Sequence, residues 1–312
     1  MALTKSVTRL LTGLVFGFTA LFAIMAGGLW LVALVLTIVI LASKEYIKIL
    51  NHKGFLPSSM VIVISSFLFA ALAYFNRFDL VALAFTACSV LAFLSVLFKG
   101  KQPYIANVAT TILGFVYCGW FPLHLLFLRD LGSYPLYDGI IKQNVGTEGA
   151  GYALFLFFAV ILTDSFCYYT GCRFGKHKLS HVISPNKTIE GAIGGTATCV
   201  IFCLIFGIWV MQFPWYHALI LGFLIAACAQ IGDLCESMIK RDAGVKDSSN
   251  VLPGHGGFLD RTDSFIFTIP IVHYYMYFFV VNNFMDLFRG MMWCLLKKFL
   301  KLIEMMSWWK LR

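Results

Sequence analysis

Charge is scarce in this sequence. Of 312 residues only 12% are Asp, Glu, Lys or Arg, against 60% hydrophobic, and the mean hydropathy is +0.84. No polar stretch is long enough to bury a core of its own, since the longest loops run to about 20–30 residues. A separate soluble domain is therefore not expected. None of the nine cysteines stands in a CxxC pair. That spacing argues against zinc or dithiol redox chemistry and leaves the cysteines as small reduced packing residues. Internal repeats and low-complexity segments are missing as well. The net charge of +9 is not gathered into one long soluble basic patch, so nucleic acid is not an expected partner.

What the sequence has in abundance is apolar runs, near 10–27, 28–43, 57–75, 80–98, 106–128, 151–170, 191–213, 216–232 and 264–282. About 20 residues of helix cross the hydrocarbon of a bilayer. Inside lipid every backbone polar group must be satisfied locally, and these runs are too continuous for a porin. The expected fold is all-α: a polytopic integral membrane protein with about nine transmembrane helices. The first two runs read as a hairpin broken at Gly27-Gly28. Lys5 and Arg9 precede the first run as in a signal peptide, but no convincing cleavage site follows, so the runs read as spans that remain.

Loop charges set the orientation. Lys44, Lys48 and Lys53, then Lys99 and Lys101, then Arg173, Lys176, Lys178 and Lys187 mark alternate loops, whereas 129–150 is slightly acidic and 214–217 uncharged. The positive-inside rule puts the basic loops and the N-terminus in the cytoplasm. Such an excess suits anionic headgroups or an anionic substrate. Beyond Asp286, Lys297, Lys301 and Glu304 share one helical face, with Lys298 nearby and Leu295, Phe299, Leu302 and Met306 opposite. With Trp308 and Trp309 this reads as an interfacial amphipathic helix over 291–309.

The densest polar stretch, KRDAGVKDSSNVLPGHGGFLDRTD from Lys240 to Asp263, lies between two apolar runs. Just before it Asp233, Ser237 and Arg241 fall on one helical face, with Lys240 near it. Pro253, Gly254, Gly256 and Gly257 form a loop that lets backbone approach a ligand. Asp260 and Asp263 open the next run, where they serve either as ordinary helix caps or as a ligand pair. Antiparallel spans would bring Asp233 to them, and three converging carboxylates repel unless a cation lies between. Hard oxygen donors without His or Cys favour Mg²⁺, usually completed by substrate phosphate.

Two further clusters fall on the same side. In ISPNKTIEGAIGG, Ser184 suits an N-cap and Pro185 a first helical position, so Lys187 would join an anion-binding helix start, or a plain capped one. In TDSFCYYTGCRFGKHK, Asp164 is an ionisable group within a span and hence a functional candidate. Arg173, Lys176 and Lys178 fit phosphate or simple topology equally. His177, His181 and His255 lack ligand spacing; His255, between glycines, is the one nearest a site.

The run SMIKRDAGVKDSSNVLPGHGGFLDRTD resembles the signature of phosphatidate cytidylyltransferases, also called CDP-diacylglycerol synthases. The matching positions are Ser237, Lys240, Arg241, Lys246, Asp247, His255, Gly256, Gly257, Asp260, Arg261 and Asp263. SPNKTIEG and the stretch from Asp164 to Lys178 resemble family segments too. The resemblance is strong over 150–282. It implies a Mg²⁺-dependent membrane enzyme, commonly dimeric, that makes CDP-diacylglycerol and pyrophosphate from CTP and phosphatidate, with a second cation such as K⁺ associated with the site. It implies Asp233, Asp260 and Asp263 as metal ligands, with Lys240, Arg241, Lys246 and Arg261 beside them in the catalytic set. Lys187 and the Ser184–Thr188 segment, Asn186 included, would hold CTP phosphates. Asp164, Ser237, His255, Gly256 and Gly257 complete the substrate-binding expectation. Residues 1–150 would then be supporting membrane helices, 151–282 the catalytic membrane region with its cytoplasmic loops, and 283–312 an amphipathic extension. The compact length favours a bacterial inner membrane with the site facing the cytoplasm.

Two other readings use the same residues. A CTP-dependent kinase of a lipid alcohol would need a base for its hydroxyl and release CDP. A cation transporter could use Asp164 and Asp233 as ion ligands, although its polar groups would be expected at a midplane site rather than at one surface.

Overall fold

The structure, a computed structural model, describes residues 2–132, 148–249 and 256–281. Among these the regular structure is helical, with one isolated bridge between Lys178 and Thr188. The helices are α1 (Ala2–Ala26), α2 (Gly28–His52), α3 (Ser59–Tyr74), α4 (Val81–Lys99) after a 3₁₀ turn at Phe78–Leu80, and α5 (Tyr104–Gly114). A π turn at Phe115–Trp120 carries α5 into α6 (Phe121–Arg129). Then come α7 (Glu148–Phe174), α8 (Ile189–Trp209), α9 (Trp215–Asp242) and α10 (Leu259–Tyr275), the last ending in a π turn at Met276–Val281.

Among the described residues seven helices are long and apolar enough to cross a membrane. The other two apolar segments, Leu11–Ala26 and α3, are shorter. The 16 residues of α3 rise only about 24 Å at 1.5 Å each, below the ~30 Å of a typical hydrocarbon core. Hydropathy marked every helix, and α3 is the expected span whose full helix falls short of the spanning length. The amphipathic helix expected over 291–309 lies outside the described residues. Large apolar side chains on outward faces, such as Phe98 (83% exposed) and Ile105 (87%), are what lipid contact requires.

The break between α1 and α2 falls at the expected glycines, Gly27 (φ 64°) and Gly28 (φ 49°), in the left-handed region. Arg129, from the end of α6, donates through Nε to the Ile24 carbonyl (2.8 Å) and through a terminal nitrogen to that of Met25 (3.3 Å). It thereby satisfies carbonyls that the end of α1 leaves open.

Packing divides into two apolar cores. The first gathers α1–α6 with Ala153, Leu154 and Phe157 of α7 and Leu259 and Ile266 of α10. The second joins Leu128 of α6 to α7, α8, α9 and the rest of α10. In it α8 packs between α7 and α9, and α9 packs on α10. The α7–α8 contact is close because it is lined by small residues, a common device between membrane helices. A Cβ at Gly191 would lie 2.7 Å from the Cys167 carbonyl oxygen, and one at Gly195 2.8 Å from that of Thr163. Gly195→Val is therefore expected to destabilise the fold by about 1–3 kcal/mol, read as a lower unfolding midpoint in detergent. Gly17→Ala, where nothing lies within 4 Å of the added atom, should not lower it.

Candidate active site

The site begins with a close approach of α9 and α10. A Cβ on Gly232 would lie 2.6 Å from the Asp263 carbonyl oxygen, so no larger residue fits without separating the helices. This contact brings the next residue, Asp233, to Asp263. One helical turn along α9, Glu236 joins them, and the three carboxylates offer oxygens within 4.8 Å of one another. Such a set of hard oxygen donors fits a divalent cation of the Mg²⁺ class.

Lysines meet these acids. Lys187 Nζ lies 2.6 Å from Asp233 Oδ2 and has no further hydrogen bond among the described residues. Glu236 is wholly buried and ion-paired to Lys240, one turn on and 8% exposed. Lys240 also holds Asp260 Oδ1 at 2.6 Å. The other Asp260 oxygen accepts from the Gly257 amide (2.9 Å) and the Ser248 amide (3.2 Å), with the Ser248 hydroxyl oxygen beside it. Asp260 is thus committed to Lys240 and to its own loop, and Glu236 takes the place beside Asp233 and Asp263. Asp164, on α7, faces the Ser264 hydroxyl, with Asp233, Lys187 and Arg261 within electrostatic reach. The Tyr117 hydroxyl is buried without a hydrogen-bond partner among the described residues, near Glu236 and Asp263.

The segment that carries Lys187 differs from the helix start expected at Ser184-Pro185. The amide of Lys187 donates to the Ser184 carbonyl (3.2 Å), closing a turn with Pro185 and Asn186 at its centre. Proline presets φ as well for that turn position as for a first helical residue, which is why the sequence misleads here. The helix starts at Ile189, and Thr188 is the N-cap, its hydroxyl accepting from the Gly191 amide (3.1 Å). Short backbone bonds pin the segment: Leu179 to Lys187 and Ile189 to His177, both 2.9 Å. Glu190 accepts from the Lys176 amide (3.0 Å) and lies 2.6 Å from His177 Nδ1, so His177 helps hold the acid at the start of α8.

A cytidylyltransferase family model matches residues 7–279 of this sequence. The chain belongs to the cytidylyltransferase family. It is 31% identical over 296 residues to a phosphatidate cytidylyltransferase of Synechocystis, covering 90% of this chain and 99% of that one. A phosphatidate cytidylyltransferase of Staphylococcus saprophyticus is 34% identical over 271 residues, with 85% and 96% covered. The chloroplastic phosphatidate cytidylyltransferase 4 of Arabidopsis thaliana is 33% identical over 280 residues, with 83% and 70% covered.

In this cytidylyltransferase-family chain the remaining sequence candidates spread around the acids. Ser237 is half-buried on α9, while Lys246 and Arg261 are exposed. Arg241 reaches across to the Lys187 segment, donating through Nε to the Ile183 carbonyl (3.4 Å). Ser184 is half-buried and Asn186 exposed. Gly256 takes φ 84°, beside Asp260. His255 lies outside the described residues. Two acids went unmarked by the sequence reading. Glu236 could have been found from its spacing, i+3 from Asp233 and i−4 from Lys240. Glu45, on α2, carries no such mark, being one acid in a basic loop.

Since Lys240 compensates both Glu236 and Asp260, Lys240→Met is expected to destabilise by about 3–5 kcal/mol, the usual penalty for stranding buried charge. Adding Glu236→Gln should recover part of that loss, which thermal unfolding of the single and double variants would measure.

Proposed function

We propose that the protein is a phosphatidate cytidylyltransferase, moving CMP from CTP to phosphatidate and releasing pyrophosphate. The observation that carries this reading is the juxtaposition of Asp233, Glu236 and Asp263 with the Lys187 ammonium, where the ends of α9 and α10 meet the segment before α8. The extent of similarity to relatives named for that activity supports it.

The chemistry asks little of a base. A phosphatidate phosphate oxygen attacks the α-phosphorus of CTP, a new P–O–P bond forms, and the bond to the β-phosphate oxygen breaks with its electron pair leaving on pyrophosphate. The protein's task is to bring two anions together and stabilise charge on the leaving group. Asp233, Glu236 and Asp263 would hold Mg²⁺, whose bound charge would offset that of the phosphates. Lys187 suits the CTP phosphates, because among the described residues its buried ammonium is paired with Asp233 and has no further hydrogen bond. Arg241 braces the Lys187 segment through Ile183, and Lys240 keeps Glu236 and Asp260 in place. Asp164, close to Lys187 and Arg261, is suited to orient them.

The same reading places the site at the cytoplasmic face, where phosphatidate presents its phosphate at headgroup depth and CTP arrives from water. The basic loops lie on that side. Counting α3 and the first helix as tilted or thinned-bilayer spans gives nine crossings. Residues 151–282 do the chemistry and 1–150 support them. The 283–312 extension, outside the described residues, would serve to gather anionic lipid through its basic residues. A homodimer in a bacterial inner membrane and a second cation such as K⁺ belong to the same proposal.

Purified protein given CTP, phosphatidate and Mg²⁺ should yield CDP-diacylglycerol and pyrophosphate in equal amounts. CDP in place of pyrophosphate would point to a lipid kinase instead, and no turnover with ion flux in vesicles to a transporter. Asp263→Asn should lose nearly all activity while still folded; turnover like wild type at limiting Mg²⁺ would remove Asp263 from the metal site. Lys187→Ala should raise the KM for CTP more than that for phosphatidate. The opposite selectivity would move this lysine to the lipid.

A further inference from the structure

Glu45 sits near the cytoplasmic end of α2, far in sequence from every candidate above, and is 4% exposed. A buried carboxylate must be paired or fully hydrogen-bonded. Among the described residues, the hydrogen bonds to the Glu45 carboxylate come from neutral donors. Oε1 accepts from Ser249 Oγ (2.5 Å) and the Phe258 amide (3.0 Å). Oε2 accepts from Ser248 Oγ (2.9 Å) and the Leu259 amide (2.8 Å). Each oxygen therefore binds one group before residues 250–255 and one group after them. The amides belong to the start of α10, where a negative charge is favoured by the helix dipole. Gly257 leaves room for the carboxylate, since a Cβ there would lie 2.7 Å from Glu45 Cδ.

The clamp continues toward the acidic group. The Ser248 hydroxyl lies 2.9 Å from Asp260 as well as from Glu45. Asp260 is bound to Lys240, and Lys240 to Glu236. A chain of polar contacts thus runs from α2 to the Asp233, Glu236 and Asp263 cluster. The end of α2 touches the end of α9 twice more, through His52 Nδ1 and the Ala243 carbonyl (3.1 Å) and through the Lys53–Asp242 ion pair.

We infer that Glu45 is a positioning residue for the transfer reaction: its carboxylate ties Ser248 and Ser249 to the start of α10, on which Asp260 and Asp263 are carried. The inference rests on the cytidylyltransferase reading for its effect on turnover, while the clamp itself can be read without activity. Glu45 touches none of the three clustered acids and acts through its neighbours.

The test uses the full chain in detergent or nanodiscs. Glu45→Gln keeps the volume but turns an –NH₂ toward donors, so at least one pair of bonds is lost. Its kcat is expected to fall about tenfold or more in fully folded protein, a loss in the range of one or two charge-assisted hydrogen bonds. Amide hydrogen exchange should rise in 246–249 and 256–263 and stay unchanged in α4, α7 and α8. Glu45→Asp, which keeps the charge but not the reach, should fall between, and it carries the test if Glu45→Gln does not fold. Lys44→Gln, a charge change on the exposed neighbour, should match wild type in both readouts. Wild-type kcat in the Glu45 variants would overturn the proposal. So would exchange that rises uniformly through the helices, with activity tracking only the folded fraction. Lack of CTP turnover in the wild-type protein would instead count against the proposed function, leaving the clamp to be judged by exchange.

Discussion

Everything where the ends of α2, α9 and α10 meet depends on how buried acids find partners inside a helical membrane protein. A lone carboxylate in low dielectric is unstable by several kcal/mol. Two solutions appear side by side. Glu236 and Asp260 share one ammonium, that of Lys240, and Asp233 has Lys187. Glu45 has neutral donors and a helix start. At Asp233 the first solution leaves the acid open to exchange, because the Lys187 ammonium could be displaced by another cation. The second fixes backbone, because two of its four donors are main-chain amides.

That division follows from which helices can approach one another. Close contact at Gly232 makes Asp233 and Asp263 neighbours, and close contact along Gly191 and Gly195 sets α8 against α7. Lys187, just ahead of α8, is thereby delivered to Asp233. In hydrocarbon there is little hydrophobic gain from helix pairing, so small residues and van der Waals contact decide the geometry. The polar groups then sit where backbone spacing puts them.

Much of this was legible in the sequence. Hydropathy located each helix, and the glycine pair located the break after α1, because bilayer thickness and left-handed φ are strong local constraints. Asp233 and Asp263 could be brought together from antiparallel connectivity alone. Three things were not legible. Pro185 suits a turn and a helix start equally, so the start of α8 was placed too early. Asp260 and Glu236 compete for the place beside Asp233, and only the position of Lys240 separates them. Glu45 makes all its bonds to residues about 200 positions away, a non-local pairing with no local signature.

The lysines also explain why an anion pair could be brought to such a site without a large penalty. Lys187 and Lys240 each balance acids, so the ammonium groups stay desolvated and placed. Phosphates arriving with a divalent cation would replace partners of like charge: phosphate for carboxylate at Lys187, metal for ammonium at Asp233. Each group keeps an opposite charge throughout, and little reorganisation is left for the moment of transfer, which is the condition under which preorganised electrostatics are most effective. A fixed start of α10 is needed for that exchange, since Asp263 must stay in place while Lys187 changes partner. On the proposed reading the two solutions to the buried-acid problem would depend on each other: Lys187 could change partner while the neutral clamp at Glu45 holds the start of α10.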